Sequence, residues 1–264
     1  MLNIFNSIII GFIQGITEFL PISSSGHMVV LSDVFGLKSP SLSVDLVAHL
    51  GSLFAVIYFF SVKSIKDIKI SGLQYEKMKS VFIKLFVASI PIGIIGYLLK
   101  DTLATTARTS VIVGICFILS GVFLIVSSYI NHIIQDKNKL FGIKKIIFIG
   151  LFQTFAIFPG ISRSGMTISS GLFMGINRKK AVEFSFLLSI PVILGANIFQ
   201  FLEIINSSIK LSDWVNLFFI FIVSMIISII TINFTLKWAQ RIKFWLFGVY
   251  GVIFGLFTLI LKLL

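Results

Sequence analysis

The chain has 264 residues, of which 57% are hydrophobic and 12% charged, and its mean hydropathy is +1.06. Soluble domains carry about 25% charged residues, so a soluble globular protein is excluded. Twenty-two Lys and Arg against 10 Asp and Glu give a net charge of +12. The basic residues cluster in short stretches between long apolar runs, which marks them as membrane-topology signals and not as a nucleic-acid footprint. The single cysteine, Cys116, stands inside the run VIVGICFILSGVFLIV, so neither a disulfide framework nor a Cys-based metal site is available.

In chain order, residues 1 to 37 are apolar but interrupted by PISSSGH. The N-terminal stretch lacks the basic first region of a signal peptide and carries Gln14 and Glu18 where such a peptide is uniformly apolar, so it is expected to be retained. Crossings, each of about 20 residues, are predicted over 45–61, 81–99 and 110–131. Residues 146 to 176 are again apolar but broken by PGISRSG, and three further crossings are predicted over 182–202, 214–236 and 244–264. The expected fold class is an all-α polytopic membrane protein, a single integral-membrane domain over 1–264 with six spans. Pro and Gly stop helices, and a polar bend at membrane depth is tolerated only where it is buried in protein or lines a water-filled cavity. The two broken segments are therefore expected to be re-entrant helical hairpins.

Lys and Arg accumulate in short cytoplasmic loops. Four connections are rich in them: Lys63 to Lys79, Lys137 to Lys145, Arg178 to Lys180, and Lys237 to Lys243. The connections with Lys38, with Lys100 and Arg108, and with Lys210 are poor and are assigned outside. Six spans thread through this assignment only if the first hairpin opens outward and the second opens to the cytoplasm. The hairpins also resemble each other: GFIQGITEFLPISSSGH from Gly11 and GLFQTFAIFPGISRSGM from Gly150 share seven identities in 17 positions. Two homologous halves of opposite orientation, over about 1–131 and 146–264, are the inverted-repeat plan that places polar sites near the bilayer midplane.

Ionisable groups within apolar stretches are costly and so mark function by default. The first hairpin holds Glu18, His27 and the serines Ser23, Ser24 and Ser25; the second holds Arg163, Ser162, Ser164 and Thr167. Gln14 and Glu18, four apart, share one helix face, and Gly11 and Gly15 let another backbone come close. A guanidinium with clustered hydroxyls and free amides at a helix start is what a phosphate oxyanion requires. His27 is a candidate nucleophile or acid/base, Ser24 of the serine run the other candidate nucleophile, and Glu18 a partner that orients, balances charge or activates water. The blander alternatives are a Glu18–Arg163 ion pair that staples the hairpins and serines that act as interhelical hydrogen-bond glue. Asp45, His49 and Glu183, close to span ends, are read as mostly structural or supporting.

QGITEFLPISSSGHM and PGISRSGMT resemble the two signatures of the bacterial undecaprenyl-diphosphate phosphatases of the bacitracin-resistance type, and the order, spacing and total length also fit. The resemblance implies hydrolysis of undecaprenyl diphosphate to undecaprenyl phosphate and inorganic phosphate in the bacterial plasma membrane, which recycles the lipid carrier of cell-wall synthesis. By resemblance, Gln14 and Glu18 take the places of the family's acidic pair, Ser23, Ser24 and His27 those of the catalytic turn, and Ser162, Arg163 and Thr167 those of the phosphate-binding loop. Together with the residue reading above, Glu18, Ser24, His27 and Arg163 are expected to be catalytic and Gln14, Ser23, Ser25, Ser162, Ser164 and Thr167 to bind substrate. Gln14 stands where other members carry Glu, which leaves one intramembrane carboxylate. The divalent cation that the family implies, Mg or Ca, is therefore expected to arrive largely with the substrate diphosphate, with Glu18 the one candidate protein ligand. The expected partners are the polyprenyl diphosphate and the bilayer, with a homodimer admitted. The expected active site faces the extracytoplasmic side. The rival class is a polyprenyl-phosphate flippase that uses the same cavity.

Overall fold

The computed structural model describes residues 3–34, 42–66, 75–105, 109–134, 142–204, 211–239, 241 and 243–263, and every regular element among them is helical. The first broken segment is α1 (Ile4–Thr17) and α2 (Ser24–Val34). It is followed by α3 (Leu42–Lys66), α4 (Tyr75–Thr105) and α5 (Ser110–Ile134). The second broken segment is α6 (Ile143–Gln153), a 3-10 turn at Thr154–Ile157 and α7 (Arg163–Phe173); α8 (Arg178–Ile204), α9 (Leu211–Trp238) and α10 (Trp245–Leu263) complete the chain.

Six of these helices contain stretches long and apolar enough to cross a bilayer: Ser43–Val62, Lys79–Leu99, Ser110–Ile130, Arg178–Leu202, Asp213–Trp238 and Trp245–Lys262. They coincide with the six predicted crossings. Phe82, Phe86, Leu98, Leu202 and Ile253 are more than half exposed on their outer faces, a surface that suits acyl chains and not water. Helices α4 and α8 continue through Pro91 and Pro191, which membrane helices accommodate by re-satisfying the freed backbone groups locally. Of the residues that carry the charge-placement reading, Lys38, Lys69, Arg108, Lys137, Lys139 and Lys210 lie outside the described residues.

The broken segments are built differently from the spans. Helix α1 has 14 residues and α2, α6 and α7 have 11 each; at about 1.5 Å per residue none reaches the roughly 30 Å of a hydrocarbon core. Each break has a local cause. Helix α1 starts where the Asn3 side chain accepts from the Asn6 amide at 2.8 Å and ends before a turn that contains Pro21 and a left-handed Ser23, φ +64°. Helix α7 starts where the Ser162 hydroxyl accepts from the Gly165 amide at 3.0 Å, after a left-handed Gly160, φ +98°.

The packing brings the two breaks together. Helix α1 lies on α9 and α6 on α4; α3 lies between α8 and α9, and α8 also meets α4. Helices α5 and α10 pack along each other, and α2 and α7 both rest on α5. The expected close approach at Gly11 and Gly15 is made by α9: a Cβ there would stand 2.8 Å from the Ile220 oxygen and 2.9 Å from the Ser224 oxygen. Beneath the breaks, the buried Phe19 and Phe186 rings meet edge to face at 5.1 Å between centroids.

Candidate active site

Glu18 follows the last turn of α1, and its carboxylate collects donors from three elements. Its Oε2 accepts from Ser24 Oγ at 2.7 Å and from Gln14 Nε2 at 3.1 Å, while its Oε1 accepts from Arg163 Nη2 at 2.7 Å. The ion pair is nearly dry, with side-chain exposures of 11% for Arg163 and 7% for Glu18. A charge-assisted bond in that setting is strong, and removal of either partner strands the other. Arg163 Nη1 donates to the Ser185 carbonyl at 3.1 Å, so the two ends of the fork are spread over two acceptors.

Hydroxyls surround the guanidinium. Thr167 Oγ1 lies 2.7 Å from Ser185 Oγ and donates back to the Arg163 and Ser164 carbonyls. Ser162 Oγ and Ser164 Oγ stand 3.1 Å apart, and Ser164 Oγ also donates to the Leu20 carbonyl at 3.0 Å, which ties the start of α7 to the first break. The first backbone bond of α7 runs from Met166 to Ser162 at 2.8 Å. The amides before it have no intrahelical acceptor, as at any helix start.

His27 belongs to a second net. Its Nδ1 is 2.7 Å from the Ser23 carbonyl oxygen, which only accepts, so Nδ1 carries the proton. In the neutral ring Nε2 then accepts from the Tyr250 hydroxyl at 2.6 Å. Phe254 stacks on the imidazole at 4.6 Å and Phe117 meets it edge-on at 5.1 Å. Asp33, at the far end of α2, accepts from Ser110 of α5 and pairs with Lys262 of α10 at 3.3 Å, which holds α2 against the helices that enclose His27.

The two nets meet at Ser23. Its left-handed backbone turns the hydroxyl to accept from the Gly26 amide at 3.3 Å and from the Gly160 amide across the interface at 3.2 Å. Only glycine fits at position 26, because a Cβ there would lie 2.6 Å from Phe117 and 2.7 Å from the Gly160 Cα. Thus Gln14, Glu18, Ser24, Arg163, Ser162, Ser164 and Thr167 are gathered as the sequence predicts. Ser23 and His27 adjoin them, and Ser25, half-buried, makes no hydrogen bond to Glu18 or Arg163.

Sequence reasoning missed Tyr250, Ser185 and Ser120, whose hydroxyl accepts from the Ser162 amide at 3.2 Å. A hydroxyl within an apolar crossing was the available signal for each. His49, read as mostly structural, has its Nε2 3.7 Å from Glu18 Oε2. Among the described residues no three His, Cys, Asp or Glu side chains stand close enough to hold a metal. Both Glu18 oxygens already accept from donors, and a guanidinium 2.7 Å away repels a second cation. The donor set therefore does not fit a resident divalent ion.

The family model for the bacitracin resistance protein BacA matches residues 7–257. The chain belongs to that family. Among its relatives are proteins named undecaprenyl-diphosphatase from Desulforudis audaxviator, 35% identical over 100% of this chain and 99% of that protein, and from Methanosphaera stadtmanae, 36% identical over 99% of each. A third, from Alteromonas mediterranea, is 36% identical over 96% of this chain and 97% of its own length.

Proposed function

We propose that this BacA-family protein is an undecaprenyl-diphosphate phosphatase, which hydrolyses the lipid diphosphate to undecaprenyl phosphate and inorganic phosphate within the membrane. The family and the names of the relatives supply the substrate; the contact between Ser24 Oγ and Glu18 Oε2 at 2.7 Å, with Arg163 on the other carboxylate oxygen, carries the chemistry. A hydroxyl hydrogen-bonded to a carboxylate base is an activated nucleophile. Arg163, Ser162, Ser164 and Thr167 receive the terminal phosphate, since phosphoryl transfer depends chiefly on position and charge neutralisation. Ser24 Oγ attacks the terminal phosphorus and passes its proton to Glu18, and the bond to the bridging oxygen breaks. The departing undecaprenyl phosphate takes that proton from Glu18 and so restores the carboxylate. Water, deprotonated by Glu18, then attacks the phosphoserine, and Ser24 Oγ leaves and recovers its proton from Glu18 as inorganic phosphate is released.

His27 is the less favoured nucleophile because its Nε2 is engaged by Tyr250. Its role in this scheme is to fix the Ser23 turn and hence Ser24. Gln14 and Ser23 hold the site's frame, Ser25 faces the substrate, and Mg or Ca enters as the complex of the substrate diphosphate. The site opens to the extracytoplasmic side of the plasma membrane through the first hairpin. The re-entrant, inverted-repeat arrangement is supported by the reciprocal packing of α1 on α9 and α6 on α4, and of α3 on α9 and α8 on α4. The homodimer is part of the same proposal, and native mass spectrometry from lipid nanodiscs decides it.

The test is phosphate release from undecaprenyl diphosphate by purified protein in detergent, with and without Mg or Ca, beside Glu18→Gln, Ser24→Ala, His27→Ala and Arg163→Ala. Loss in the Glu18, Ser24 and Arg163 variants is expected. Tight lipid binding by wild type without phosphate release would instead favour transport of the lipid phosphate.

A further inference from the structure

One titratable side chain at the Glu18–Arg163 centre has no task in this scheme. His49, on α3, is fixed by its Nδ1, 2.7 Å from the Asp45 carbonyl oxygen; that oxygen only accepts, so Nδ1 bears a proton in every state. The free Nε2 then points at Glu18 Oε2 from 3.7 Å. At that separation a neutral ring presents a lone pair to a carboxylate, whereas an imidazolium presents a proton. The ring is 28% exposed against 7% for Glu18, so water reaches it while the carboxylate stays dry.

The charges around it make this geometry consequential. Glu18 and Arg163 cancel one another, and the terminal Nη1 and Nη2 edge of Arg163 is engaged on two separate acceptors, Ser185 and Glu18. A phosphate that takes the Nη2 bond now given to Glu18 draws Arg163 off that carboxylate and leaves it buried without a cation, which is costly. Of the elements packed on α3, α1 has no ionisable side chain, α9 has Asp213 and Lys237 near its ends, and α8 has Arg178, Lys179, Lys180 and Glu183 at its start and Glu203 near its end. Lys179 pairs with Glu183 at 3.8 Å. Asp45 lies one turn back on α3 itself.

We propose that His49 is a positioning residue that, as an imidazolium, takes over Glu18 as counter-ion and so releases Arg163 to grip a diphosphate. Protonation of Nε2 is what creates this counter-ion, so ligand affinity rises as the solution is acidified. The inference rests on the phosphatase reading only for the identity of the ligand.

Inorganic pyrophosphate, titrated calorimetrically into the full-length protein in detergent across about pH 5 to 8, tests it with wild type, His49→Gln and His49→Lys. Comparison between variants cancels the titration of the ligand itself. At the acid end wild type is expected to bind about tenfold more tightly than His49→Gln, a conservative share of what a unit charge contributes at a few ångströms in a half-buried site. The two converge at the alkaline end, and His49→Lys restores tight binding there. Parallel profiles for wild type and His49→Gln, or an equal loss at every pH, would overturn the proposal. Turnover of undecaprenyl diphosphate measured alongside keeps the two readings apart: a pH-dependent binding difference without phosphate release by wild type would sink the phosphatase and leave the charge hand-off standing.

Discussion

Replacement of Arg163 by Gln separates its observed structural role from its proposed chemical one. The first is structural. With the guanidinium gone, a carboxylate only 7% exposed loses the cation at 2.7 Å, and breaking a buried pair from one side costs about 3–5 kcal/mol. Ser24 and Gln14 still donate to Glu18, which places the loss near the lower end, roughly 3 kcal/mol. The second role is chemical: an arginine on a transferring phosphoryl group accounts for about 10³ or more in turnover, or roughly 4 kcal/mol of the barrier at 1.36 kcal/mol per tenfold. Adding Glu18→Gln to Arg163→Gln removes the stranded charge, so stability should return to within about 1 kcal/mol of wild type while activity stays absent. Denaturation followed by circular dichroism in detergent and phosphate release from undecaprenyl diphosphate give the two readings. Arg163→Gln activity within tenfold of wild type would refute the phosphate role. A double variant no more stable than Arg163→Gln would refute the isolated-charge argument.

Three further outcomes follow from the contacts around the breaks. Gly26→Ala forces a methyl into the Phe117 ring and the Gly160 backbone, so it should separate the two turns and abolish turnover even where the protein still purifies; near-normal kinetics would show that the turns need not touch. Tyr250→Phe keeps the ring beside His27 and deletes one hydrogen bond, a loss of about 1 kcal/mol and so about fivefold in kcat; an unchanged kcat would remove Tyr250 from the site. Gln14→Glu sets a second carboxylate within reach of Glu18 Oε2, now 3.1 Å from Gln14 Nε2, so activity should become more sensitive to a chelator than that of wild type, whose cation comes only with the substrate, and should recover with Mg or Ca. A chelator response identical to that of wild type would count against the charge argument.

The legible part of the fold was the part governed by one-dimensional patterns. Six apolar runs of spanning length dictate six crossings because no other structure satisfies their backbone in lipid. The Pro21 and Gly160 regions were visible as breaks because Pro and Gly stand there together with a polar run, PISSSGH and PGISRSG, whereas Pro91 and Pro191 stand alone in apolar sequence that stays helical. The candidate site was legible for a similar reason: Glu18 and Arg163 are so expensive in an apolar setting that their presence alone demanded partners. The partners themselves were not legible. Tyr250 lies 223 residues from His27 and Ser185 lies 22 residues from Arg163, and no local periodicity reports which face of α10 or α8 turns toward a break.

His49 shows most clearly what a sequence withholds. Near a span end a histidine has an inexpensive explanation in water, and position alone favours it. What changes the reading is direction: Nδ1 is tied to the Asp45 carbonyl and Nε2 is left aimed at a carboxylate that three other donors already serve. The same reasoning divides the labour between the two candidate nucleophiles. His27 has Nε2 capped by the Tyr250 hydroxyl, whereas Ser24 has its hydroxyl on a carboxylate that also pairs with Arg163. In a site where water is scarce, the atom with a base already in contact is the one that can lose its proton without first breaking a bond, and that atom is Ser24 Oγ.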